Sequence, residues 1–144
     1  MASENGYSAR VEANHVLGRR FFAEQDRLRG GPAPELCAPG YVAHLGGNPP
    51  TDRAGHEGFA KAFYGAFPDM RHEVEQVVAE EDALVVRFVL RGTHQGSFFG
   101  ISATGRSVMI AAHVLMRVER GVVTELFGIF DEAGLLRQLG VLPG

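Results

Sequence analysis

A carboxylate or an imidazole moves protons near neutral pH only where its surroundings hold it in the right state, so titratable residues on apolar faces matter first. From Val122 to Phe130 the chain alternates as a strand does, and Val123, Glu125, Phe127, Ile129 and Asp131 share one parity. That places Asp131 at the end of a mostly apolar row, where Phe127, Ile129 and Phe130 would raise its pKa and make it a usable base. Asp is also among the best helix N-caps, and a Leu-bearing segment begins directly after it, so capping is the competing reading of Asp131. In the segment after Asp82, Leu84, Val86, Phe88 and Leu90 form the inward set, and His94 continues it unless Gly92 introduces a bulge. His113 falls beside Arg117, opposite the apolar set Val108, Ile110, Ala112, Val114 and Met116. His72 shares parity with Val74 and could face inward, but reads as a satisfied structural histidine. His15 and His56 read as solvated or capping residues.

Other chemistries find less support. A site of two histidines and one carboxylate could use His44, His94 and Asp131, but no HxD or HxxxH spacing accompanies them, and no metal is expected. Cys37 has no partnering motif, so it reads as neither nucleophile nor disulfide half. The glycines of GSFFG and GISATG do not precede a helix, so they form turns rather than a phosphate cradle.

The positioning elements follow from periodicity. Val11, Val16, Leu17, Phe21, Phe22 and Leu28 form a helical stripe within Ser8 to Leu28, and RGGPAP breaks that helix. A short turn around Glu35 to Ala38, a brief extended segment Tyr41 to Leu45 and a Gly- and Pro-rich loop from Gly46 to Gly55 come next. Phe59, Phe63 and Phe67 at spacing four define a second helix over His56 to Phe67, stopped by Pro68. Period-two patterns then predict four strands, Arg71 to Ala79, Ala83 to Thr93, Val108 to Glu119 and Val122 to Phe130, joined as an antiparallel meander. A last helix is expected over Glu132 to Leu139. Helices first and sheet second is an α+β pattern: a curved antiparallel sheet wrapped around the N-terminal helices as a cone.

Composition bounds the partners. The 144 residues suit one domain, with 45% hydrophobic and 22% charged residues, as in soluble globular proteins. A net charge of -3 leaves no basic surplus for nucleic acid. The most apolar stretch, Val108 to Val118, contains His113 and Arg117 and is too short for a membrane span. The charged opening MASENGYSAR is unlike a secretory signal, so a cytoplasmic location is expected. Val85, Val89, Ala111 and His113, with Arg87 and Arg91, form a mixed outer face suited to a homo-oligomer, a dimer or tetramer.

Four segments in order carry a family resemblance: AFPDM at Ala66 to Met70, RGTHQGSFFGISATGR at Arg91 to Arg106, MRVERGVVTE at Met116 to Glu125 and FDEAGLLRQLG at Phe130 to Gly140. Together they resemble the SnoaL-like polyketide cyclases (ester cyclases) of the NTF2-like superfamily. The resemblance implies a single cone-shaped domain over residues 1–144 that closes a carbonyl-bearing, polyketide-like compound by a cofactor-independent intramolecular aldol step. By it, Asp131 is the proton shuttle, His94 the donor or orienting group, and His44 a carbonyl-polarising group at the mouth. Phe59, Phe63, Phe88, Phe98, Val114, Phe127 and Ile129 would line a pocket for a hydrophobic small molecule, with plain core packing as the competing reading of Phe59, Phe63 and Phe98. Two positions depart from the family pattern: Val114 stands where a further histidine is usual, and Ile129 and Phe130 stand where a Trp is common. Arg87 and Arg91 point outward, against the Asp-Arg-Asp mechanism of the superfamily's epoxide hydrolases. Tyr41 and Tyr64 could serve ketosteroid-isomerase chemistry, but the second inward Asp it needs is missing. The alternative to an enzyme is a non-catalytic NTF2-like domain that binds a small molecule or mediates oligomerisation.

Overall fold

The computed structural model describes residues 4–143. Helix α1 (Glu4–Leu28) is followed by a 3₁₀ turn at Pro34–Leu36, strand β1 (Cys37–Leu45) and helix α2 (Arg53–Ala66). Strands β2 (Arg71–Ala79), β3 (Ala83–Thr93), β4 (Ser107–Glu119) and β5 (Val122–Phe130) come next, and helix α3 (Glu132–Gln138) completes the order. The sheet is curved and unclosed, in the order β1-β5-β4-β3-β2. This is the expected α+β arrangement, with one correction. β2 to β5 form the antiparallel meander, but β1 is a full strand that pairs in parallel with β5, so the sheet is mixed. The sequence pattern shows only the Tyr41 to Leu45 part of β1, because Pro39 and Gly40 at its exposed start interrupt the alternation.

The core lies between the concave face of the sheet and the helices. α1 contributes Leu17, Phe21 and Phe22, and β3 and β4 contribute Leu84, Val86, Phe88, Ile110, Ala112, Val114 and Met116, all buried with the expected parity. Buried Asn14 donates from Nδ2 to the carbonyls of Glu80 and Glu81, fastening α1 to the β2–β3 turn. After α1 the chain turns through Arg29, at φ 53, into Gly30 and Gly31. A Cβ at Gly31 would lie 2.5 Å from Glu57 Cα, so only glycine lets this turn rest on α2. Gly31→Ala is therefore expected to destabilise the fold by about 1–3 kcal/mol, read as a lower urea midpoint at unchanged slope.

Both α2 and α3 begin on an aspartate cap. Asp52 Oδ1 accepts from Gly55 N at 2.9 Å, and Asp131 Oδ1 accepts from Gly134 N at 2.9 Å. No helix among the described residues is long and apolar enough to cross a membrane.

Candidate active site

β5 does not keep the alternation that its sequence suggests. Its pairing with β4 shifts between Arg117 and Val118: Val118 faces Val123 and Arg117 faces Glu125, which leaves Thr124 as the extra residue of a bulge. A one-residue slip exchanges the two faces of a strand. Leu126 and Gly128 therefore turn inward, whereas Glu125, Phe127 and Ile129 turn outward, reversing the expected row. Asp131 follows them out. It is exposed, its backbone N–H bonds Ala111, and its side chain folds back as the α3 cap rather than entering the hollow.

The two histidines expected beside it also lie elsewhere. His44 sits on the outer side of β1, with Nε2 2.7 Å from Glu125 Oε2 and its ring stacked on Phe127 at 4.3 Å. Arg117 Nε lies 3.9 Å from the other oxygen of Glu125. His94 is fully buried against Phe67 and clasps the β3–β4 loop: its Nδ1 accepts from Thr104 N at 3.1 Å, and its backbone bonds Gly105 and Arg106. Asp131, His94 and His44 thus occupy three separate places, and none lines the cavity described next.

That cavity, of about 80 Å³, lies between α1, α2 and the concave sheet. Four of the expected lining residues are there, Phe59 and Phe63 from α2, Phe88 from β3 and Val114 from β4, whereas Ile129 touches the cavity only at its rim and its side chain is largely exposed. Phe98 instead backs Phe63, at 5.1 Å between ring centres, and Phe127 is on the outer face with His44. Phe22 and Phe130 add two further rings to the wall.

Three polar side chains reach the cavity: His72, His56 and Gln25. The side chain of His72 is only 6% exposed, and its Nδ1 lies 2.7 Å from Asp26 Oδ1. Asp26 also accepts the His72 backbone N–H at 2.8 Å and the Tyr64 hydroxyl at 2.6 Å. Burial works to raise the pKa of Asp26. The bond and charge of His72, with the bonds from Tyr64 and the His72 backbone, outweigh it and hold the carboxyl below its ordinary value. An ionised Asp26 holds a proton on His72 Nδ1, so the neutral form of the ring carries its lone pair on Nε2. Phe22 stacks on the imidazole at 4.9 Å and fixes its plane. Behind this group the Arg29 guanidinium covers the Tyr64 ring at 4.4 Å.

His56 is buried rather than solvated, which corrects the reading from its position near a helix start. Burial, followed by the charge of nearby His72, pushes its pKa down to about 4, so the ring is neutral at pH 7. Burial pushes the Tyr41 hydroxyl up, so it stays protonated, and it lies 2.8 Å from His56 Nδ1. In the tautomer in which the Tyr41 hydroxyl donates to Nδ1, the His56 proton is on Nε2, which makes this cavity-lining ring a neutral donor. The Cys37 thiol is pushed up to about 11 by burial, which denies it thiolate character at neutral pH.

A family profile for the SnoaL-like polyketide cyclase matches residues 18–139. The chain belongs to the SnoaL-like polyketide cyclase family. Among solved structures, AclR, a proposed hydroxylase from Streptomyces galilaeus, is 27% identical with a TM-score of 0.83, covering 93% of this chain and 89% of that one. IdmH, a proposed polyketide cyclase from Streptomyces antibioticus, is 31% identical with a TM-score of 0.73, covering 92% and 99%. A proposed SnoaL-like polyketide cyclase from Jannaschia sp. CCS1, at 22% identity and a TM-score of 0.78, shares the fold. No curated protein matches the chain. These SnoaL-like relatives differ in the activities named for them, so the chemistry of this member rests on its own side chains. His72 was visible in the sequence through its parity with Val74. Asp26 was not, because its partners Tyr64 and His72 are distant in the chain.

Proposed function

We propose that this SnoaL-like chain is a cofactor-independent acid/base enzyme that closes a ring by an intramolecular aldol step on a polyketide-like carbonyl compound. The observation that supports this reading is the His72–Asp26 pair, an imidazole braced by a carboxylate at the wall of an aromatic-lined cavity. His72 Nε2 removes a proton alpha to a carbonyl, and the imidazolium formed is stabilised by the Asp26 carboxylate. The carbonyl oxygen becomes an enolate that accepts a hydrogen bond from His56 Nε2–H. The enolate carbon attacks a second carbonyl carbon of the same molecule, forming the new C–C bond. The resulting alkoxide takes back the proton held by His72. Nothing is added or lost overall, which is why the reaction needs no redox partner.

A neutral His56 is the suitable donor because it stabilises an oxyanion without surrendering a proton to it. This reading moves the proton-handling role from Asp131, His94 and His44 to His72, His56 and Asp26. Its test is deuterium incorporation into 2-tetralone, an enolisable ketone, followed by NMR in D₂O at pD 7. The protein is expected to accelerate exchange at the alpha positions above an equal concentration of free imidazole. A rate no faster than imidazole alone would leave a binding domain in place of an enzyme.

A further inference from the structure

Glycine is costly inside a β-strand, because it loses more backbone freedom on folding than any other residue and packs no side chain against its neighbours. Gly128 stands inside β5, where the bulge at Thr124 turns it towards the cavity, and it forms part of the wall. The backbone does not call for it. Its φ is not positive, whereas Gly46, the other glycine of the wall, has φ 59 and belongs to a turn. Nor does crowding call for it. A Cβ at Gly128 would lie 3.5 Å from Val114 Cγ2, 3.6 Å from Leu126 Cδ2 and 3.9 Å from Leu45 Cδ2, which are ordinary contacts. Val114, Leu126 and Leu45 all line the cavity, so a side chain at position 128 would begin among them and take up space in the hollow.

We infer that Gly128 is a specificity-determining residue, whose missing side chain leaves room at the β5 wall for the fused hydrocarbon ring of a two-ring aromatic ketone. This deepens the proposed function and rests on the cavity being the substrate site of that reaction. The neighbours of position 128 are apolar, so the part of the substrate that lies there is hydrocarbon and its carbonyl goes to the histidines. On the other side of the hollow α2 sets Phe59 and Phe63, rings that suit a flat aromatic body. A glycine backbone lets such a body approach the strand closely, which a branched side chain would prevent. The hollow is only about 80 Å³, so one or two added methyl groups remove a large share of the space a second ring needs.

The test titrates the wild-type protein, Gly128→Ala and Gly128→Val with 2-tetralone and with cyclohexanone, its single-ring counterpart, followed by protein NMR. Gly128→Ala is expected to weaken 2-tetralone about fivefold and Gly128→Val about 10-fold or more, while cyclohexanone changes less than about twofold in either. Gly128→Ala should melt at or above the wild-type midpoint, because alanine restricts the unfolded chain and meets only ordinary contacts here. It carries the test alone if valine overpacks the wall and unfolds the protein. Unchanged affinity for 2-tetralone in the folded variants, or an equal loss of both ketones, would overturn the inference. A lower thermal midpoint in Gly128→Ala would also overturn it, since the glycine would then serve the fold. Failure of both ketones to bind the wild type would overturn it together with the cavity assignment. A loss confined to 2-tetralone, without accelerated exchange in the wild type, would support Gly128 as the size-setting residue and remove only the catalytic proposal.

Discussion

His72→Gln is expected to slow alpha-proton exchange about 10²- to 10⁴-fold, the usual contribution of a positioned general base, while Asp131→Asn leaves the rate within about twofold. The two substitutions separate the candidates because each preserves the structural part of the residue it replaces. Glutamine at 72 retains the backbone N–H to Asp26 and a side-chain amide donor for it, but has no lone pair of imidazole basicity. Asparagine at 131 retains the oxygen that accepts from Gly134 N, and Asn caps helices as well as Asp does. Rates would be measured by NMR, with circular dichroism melts confirming that both variants remain folded. The opposite pattern, with Asp131→Asn inactive and His72→Gln active, would return the base to the outer end of β5 and refute the His72 mechanism.

A steep loss of stability between pH 6.5 and 4.5 is the second large effect, and it arises from His56. Its folded pKa of about 4 lies below its ordinary value of 6.5, so the unfolded chain binds this proton more tightly. The stabilisation is complete above pH 6.5 and is lost as the pH falls towards about 4. With each pKa unit worth ~1.4 kcal/mol, the full loss is about 3 kcal/mol, most of it above pH 4.5. Asp26, held below its ordinary value of 3.8, acts in the same direction but only at lower pH, as do the lowered surface carboxylates below about 4.5. Urea unfolding of the wild type at pH 7 and 4.5 should show the drop, and His56→Gln, which does not titrate, should show little of it. An equal drop in His56→Gln would mean that the ring is not held neutral, and the oxyanion-donor assignment would fall with it.

The limits of sequence reading fall at identifiable residues. β2, β3 and β5 have the expected ends, and β3 and β4 have the expected inner faces, because strict alternation with one apolar face specifies both. β5 has its ends but not its faces. Thr124 is an ordinary strand residue with nothing to mark a bulge, yet it carries Glu125, Phe127, Ile129 and Asp131 to the outside. Asp131, expected on the inner row, lies on the outer side for that reason alone. Helix starts are usually solvated, which is what the position of His56 suggests, whereas this one is buried against the Tyr41 hydroxyl of β1. Gln25 did leave a mark, a polar residue one turn beyond Phe21 and Phe22 on the apolar stripe, although the stripe remains legible without it. The Asp26, Tyr64 and His72 network unites the end of one helix, the end of another and the start of a strand, and no local pattern encodes that convergence.

The same network has a consequence for how this chain can change. Asp26 fastens α1 to α2 through Tyr64 and to β2 through His72, and the latter bond also aims the imidazole. Under the proposed mechanism architecture and reactivity share a single fastener, and variation at position 26 would alter both at once. Under the proposed function, selection for a new substrate is freer at Gln25 or Phe59, which border the hollow without taking part in that joint. A lineage of this chain would diversify its preferences along the walls while its proton-handling corner stays fixed.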